Sequence, residues 1–266
     1  MMNIFIHEMK AYRKSTIVWS ISLIMLIILF MSFYVSFSKD AAEFTKILTS
    51  YPEAIRQAFG INLDQFFSIL GFYCYPLSII TLCGAIQAMN LGTGIVSKEV
   101  LEKTADFLLT KPVTRTQILT AKLLAALVSI VITFIVYFAA AGITASVVKT
   151  EDFSMEIFFL LSLTLLLVQV MFLAIGIIIS VIVPRIKSVL TVSLATVFGF
   201  YFLGMLSSTS GEEAKRYLSP FKYFDTAYIM KHSGFETPFL LAGAVIVCGA
   251  ILASYFVYTK KDIHAV

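Results

Sequence analysis

The side chains able to do chemistry gather in few places. The densest is Ser97 to Lys122, SKEVLEKTADFLLTKPVTRTQILTAK, where Lys98, Lys103, Lys111, Arg115 and Lys122 alternate with Glu99, Glu102 and Asp106. Mixed charge around a Leu108-Leu109 pair suits docking of another protein, the leucines supplying apolar area and the charges supplying register. The plain alternative is a solvated helix whose charges only hold topology. Three amides, Gln87, Asn90 and Gln169, stand inside apolar runs, where they either line a polar path or hydrogen-bond helices to one another. No phosphate loop of the form G-x-x-x-x-G-K-S/T, no G-x-S-x-G elbow and no H-E-x-x-H occurs. His7-Glu8 lacks a second histidine four residues after the first, where Ala11 stands, and Cys74, Cys83 and Cys248 have no metal-ligand spacing.

The elements that hold these residues are set by composition. With 59% hydrophobic and 14% charged residues and a mean hydropathy of +0.92, the chain is an integral membrane protein and not a soluble globule. Residues 1–266 read as one all-α membrane domain. Six apolar runs are long enough to span a bilayer as helices, near Ile17 to Phe37, Phe66 to Val96, Leu119 to Val148, Ile157 to Val183, Val189 to Ser207 and Pro238 to Tyr258. The second, third and fourth exceed what a straight span needs, so they are expected to tilt or project. The first run lacks a small-residue cleavage pattern and is expected to stay as a span. Before it, Asn3 to Lys14 reads as an N-terminal interfacial helix, with Phe5, Met9 and Tyr12 on one face and His7, Lys10 and Lys14 on the other. In the second run Pro76 can kink the helix, and Gly84, Ala88 and Gly92 form a small-residue stripe for close helix packing, within the chain or against a second copy.

Within the charged segment, Lys98 to Leu109 can form a helix that Thr110-Lys111-Pro112 ends, and Thr114 with Gln117 forms a capping box that starts the next one. Alternate connectors hold 12 and 8 of the 20 Lys and Arg. The richer side carries the N-terminus, the Ser97 to Lys122 connector, Arg185, Lys187 and the C-terminus, so both termini and that connector are expected in the cytoplasm. On the other side, Ser50-Tyr51-Pro52-Glu53 reads as a capping box opening a helix that Gly60 closes, and Ser208 to Thr237 is the largest connector. Pro184 to Ser188 is a short basic anchor. The net charge of +4 is small and spread through the connectors, which gives no support to nucleic-acid binding.

The order of residues from Glu99 or Glu102 through Lys122 resembles the cytoplasmic loop of ABC type-2 export permeases: an acid, a Lys103-Thr104 pair, Leu108-Leu109, Pro112-Val113 and a lysine opening the next span. Many members have glycine where Lys103 stands. The six spans and Ser219-Pro220-Phe221 before the last one extend the resemblance over most of the chain. It implies a cytoplasmic coupling helix that sits in a groove of a separate ABC ATPase, with Glu99, Glu102, Thr104, Asp106, Leu108, Leu109, Pro112 and Arg115 as the coupling residues. It implies two ATPase copies and a second permease, the same or related, in a cell-membrane exporter. ATP-Mg would be bound by the ATPase, and no cofactor by this chain. Gln87, Asn90 and Gln169 become candidates for the translocation path. The spans, with Lys122 counted to the connector, carry no ionisable residue, which disfavours proton coupling. An ion-coupled carrier and a non-transporting immunity or regulatory protein of the same fold are the competing readings.

Overall fold

The computed structural model describes residues 2–39, 46–47, 49–52, 55–56, 68–101, 113–183, 186–209 and 213–260. Every regular element among them is helical: α1 (Met2–Ser32), α2 (Tyr34–Lys39), α3 (Ile69–Leu101), α4 (Arg115–Val148), α5 (Met155–Ile182), α6 (Val189–Thr209), α7 (Glu213–Arg216), a single 3-10 turn (Pro220–Lys222), α8 (Thr226–His232) and α9 (Thr237–Lys260). Six of these, with α1 and α2 taken together, are long and apolar enough to cross a membrane. At 34 residues α4 measures about 51 Å, well beyond a hydrocarbon core of about 30 Å. The excess length expected for the second, third and fourth spans is therefore present.

Local signals explain where the helices begin. The hydroxyl of Thr114 accepts from the Gln117 N–H at 3.3 Å, and the Gln117 side chain accepts from the Thr114 N–H at 3.2 Å. This capping box starts α4 four residues before the expected span. Ser154 caps α5, and Ser188 accepts from the Thr191 N–H at the start of α6. α3 continues through Pro76. Asn3 to Lys14 is helical, as its periodicity predicts, but forms the first turns of α1 and not a separate helix, because neither Gly nor Pro interrupts the chain between Lys14 and the apolar run. Its Phe5, Met9 and Tyr12 face packs on the bundle. Of the helix expected after Pro52, only Ile55 and Arg56 are described, both donating to the Pro52 carbonyl; the rest lies outside the described residues.

Side-chain bonds fix the topology. α1 runs parallel to α4, with Ser20 at Thr133 and Tyr34 at Thr150. α3 is antiparallel to α4 and parallel to α5, as the Gln87–Thr133, Gln87–Gln169 and Tyr73–Ser162 contacts require. α3 and α5 are the most enclosed helices, whereas α6 and α9 keep most of their apolar surface outside.

The α3–α5 contact is unusually close, and the small-residue stripe is the reason. A Cβ on Gly92 would collide with the Leu173 carbonyl oxygen, and one on Gly176 would lie 2.8 Å from the Thr93 nitrogen. Gly84 faces Leu165 and Gln169, and Ala88 is fully buried. Of the two uses expected of the stripe, packing within the chain is the one observed.

At the end of the bundle away from the termini, the chain between α6 and α9 folds back inward. Ser219 is buried and donates to the Phe200 carbonyl at 2.7 Å, Pro220 is buried, and the Phe221 ring lies 5.0 Å from that of Phe172. Gly204 makes room, since a Cβ there would sit 2.9 Å from the Ser219 oxygen. Arg216 binds both carboxylate oxygens of Glu236, at 2.6 and 3.1 Å, and lies 4.0 Å over the Phe239 ring, which pins the connector to the start of α9. Between α4 and α5, Lys149 donates to Asp152 and holds that exposed carboxyl below the usual carboxylate range.

Candidate coupling site

The first turns of α4 are a hub. Lys122 extends from α4 to place its ammonium 3.1 Å from the Glu8 carboxylate of α1 and donates to the Ile95 carbonyl of α3 at 3.1 Å. On the adjoining face, the Thr120 hydroxyl lies 2.6 Å from the Tyr255 hydroxyl, and Arg115 reaches the Tyr258 carbonyl at 3.5 Å. Both of those partners belong to α9. The start of α1, the end of α3, the start of α4 and the end of α9 thus meet at one end of the bundle.

Of the coupling residues expected from sequence, Arg115 is placed in this hub and Glu99 lies on the last turns of α3. Glu102, Thr104, Asp106, Leu108, Leu109 and Pro112 lie outside the described residues. The expectation that the spans carry no ionisable group is corrected by Lys122, which is inside α4 and nearly sealed, its side chain 5% exposed; its partner Glu8, on α1 before the expected first span, is 14% exposed. The charge count missed the pair because it grouped Lys122 with the connector and Glu8 with the N-terminal tail. Helical spacing carried the missing signal. Glu8 shares a stripe with Phe5 and Tyr12, and Lys122 shares one with Ile118, Leu119, Ala125 and Ala126, so each charge sits on an apolar face where it needs a partner.

Deeper in the bundle, Gln87 and Gln169 are brought together and Asn90 is not part of their contact. Gln87 Nε2 donates to Thr133 Oγ1 at 2.9 Å, and Gln169 Nε2 donates to Gln87 Oε1 at 3.2 Å. Ser20 and the Ser129 carbonyl complete the cluster through Thr133. Gln87 and Gln169 are 1% and 0% exposed, and Asn90 is half-buried. Four helices are thereby hydrogen-bonded at one level. A second hydroxyl cluster, Tyr73 with Tyr137 at 2.7 Å and Ser162 at 2.8 Å, joins α3, α4 and α5 nearer the other end. Sequence reasoning did not single it out, because isolated hydroxyls in apolar runs carry no pattern of their own. Replacing Gln87 with Leu and Thr133 with Val, singly and together, is expected to give a coupling of about 1 kcal/mol in a double-mutant cycle of unfolding in detergent. No group of residues able to hold a metal ion is found among the described residues.

Six apolar helices, with the start of α1 and the end of α9 brought to the end of the bundle where α3 ends and α4 begins, define a multi-pass integral membrane protein. Residues 2–263 match the family described as ABC-2 family transporter protein, and the chain belongs to that family. It is a membrane permease of an ABC-type system. Among curated proteins, none matches this sequence.

Proposed function

We propose that the chain is the membrane half of an ABC exporter, driven by ATP that a separate ATPase subunit hydrolyses. Two permeases, two copies of this chain or this chain and a relative, assemble with two ATPases. The ATPase docks on the segment from Lys98 to Leu109, in the cytoplasm, and both termini lie on that side. The observation that supports this reading most is the hub: the helices entering and leaving the segment are bonded to each other and to both terminal helices. A displacement imposed there by nucleotide binding would reach most of the bundle, shifting it between inward-facing and outward-open or occluded states. The mid-depth cluster supports an ATP-driven over a proton-driven machine, because it is made of amides and hydroxyls and holds no carboxylate or imidazole to relay a proton.

Two measurements test the reading. Tagged protein purified from its native membrane in mild detergent should bring with it a phosphate-loop ATPase in equal amount, and the complex should hydrolyse ATP. A chain that purifies alone without nucleotide hydrolysis would contradict the proposal. For orientation, a background lacking Cys74, Cys83 and Cys248 is given single cysteines at Glu53, Glu213 and Glu102. A membrane-impermeant maleimide should label the first two positions in intact cells and spare the third. Labelling at 102 from outside would reverse the orientation and remove the docking segment from the ATP-containing side.

A further inference from the structure

We propose that the Glu8–Lys122 ion pair is the joint that passes movement of the 102–112 segment to the N-terminal helix, with both side chains acting as positioning residues. This rests on the reading of that segment as the docking element. Ile95 lies on the arm that enters the segment and Lys122 on the arm that leaves it, so one ammonium closes the base of the loop and adds α1 to it. Neither charge can trade its partner for water at low cost, because both side chains are largely sealed from solvent and a buried charge left alone is strongly destabilising. If the two arms separate or slide, they carry α1 with them or break the pair.

The remaining contacts make α1 follow as a unit. Ser129 of α4 faces the Met9 sulfur at 4.0 Å, Ser20 reaches Thr133 at 3.5 Å, and Tyr34 meets Thr150 at 3.4 Å. These are neutral, weak contacts spread along α1 and the start of α2. The neutral Thr133 hydroxyl joins α1, α3 and α4 at mid-depth, and Lys122 joins the same three helices through a charged group where α3 ends and α4 begins. An ion pair in such a place is a poor way to add stability, since well-packed apolar residues of the same volume do as well or better. It is a good way to fix one geometry, because it tolerates few alternatives.

The test uses the full-length chain with its co-purified ATPase in lipid nanodiscs, read by amide hydrogen exchange with and without ATP and vanadate. In the wild-type complex, trapping should change exchange in residues 2–14 by about fivefold or more, the lower end of ordinary coupling between sites. Lys122→Met should lose that response while residues 102–112 keep theirs, and Lys122→Arg should restore it. The charge-exchanged double variant Glu8→Lys, Lys122→Glu keeps the α1–α4 pair but has no donor for the Ile95 carbonyl, so it should fold and recover only part of the response, which separates loss of the joint from loss of folding. A merely structural pair would lower the folded yield of Lys122→Met and leave the nucleotide response of its folded complexes intact, and that result would overturn the inference. If wild-type protein brings down no ATPase, the docking reading fails first. If the ATPase is present and Met2–Lys14 does not respond, only the joint fails.

Discussion

Gly92→Leu and Gly176→Leu are each expected to destabilise the folded bundle by about 3 kcal/mol or more, the upper end of overpacking costs. At this crossing α3 and α5 touch backbone to backbone, and the atoms that a new Cβ would strike are a carbonyl oxygen, amide nitrogens and a neighbouring Cα. A flexible side chain could turn aside, but main chain cannot, so the helices must move apart along a contact that organises both core clusters. Alanine should already cost about 1–3 kcal/mol at either site. Gly199 and Gly249 provide the control, because nothing lies within 4 Å of a Cβ at either position, and leucine there should stay within about 0.5 kcal/mol of the wild type. Unfolding in detergent, followed by helix content against temperature or denaturing detergent, separates the two groups. Equal stability of all four leucine variants would mean that the close approach of α3 and α5 does not hold in the membrane.

That crossing also shows where the sequence stops being informative. The stripe of Gly84, Ala88 and Gly92 was legible because its four-residue period stands out from the bulky residues around it. Gly176 was not, since a single glycine in a long apolar run has no period and its partner lies 84 positions earlier. The same division runs through the fold. Span number and the Thr114 box follow from local composition and spacing, and both are present. Which helix faces which depends on complementary surfaces far apart in the chain, and hydropathy is the same for all of them. At the candidate site, Arg115 was found through the loop pattern, whereas Glu8 and Lys122 are recognised as a pair only after α1 and α4 are laid side by side. Gln87 and Gln169 were visible as amides in apolar runs, and their bond to each other required the parallel register of α3 and α5.

Replacing Leu108 and Leu109 together with serine is expected to weaken ATPase binding by about 3 kcal/mol, since fully burying one leucine is worth roughly 1.5–3 kcal/mol and both need not be fully covered. At about 1.4 kcal/mol per tenfold, this is roughly a hundredfold loss of affinity. Such a loss turns a complex that survives purification into one that dissociates on the column. The two leucines stand in a connector too polar to cross the membrane, among Lys103, Asp106 and Lys111, so a partner groove is the natural place for their apolar area. Glu102 and Asp106 are expected to act differently. Replacing them with Gln and Asn should slow association and flatten its salt dependence more than it speeds dissociation, because peripheral charges steer encounter and fix register. Membrane insertion should survive both changes. The Thr114–Gln117 cap, the Lys122 contacts and all six spans lie outside the altered positions. The rival view treats 102–112 as a passive linker and predicts that the serine variant retains its ATPase and hydrolyses ATP at the wild-type rate. Quantitative co-purification, with folded permease measured in the same fractions, decides between them.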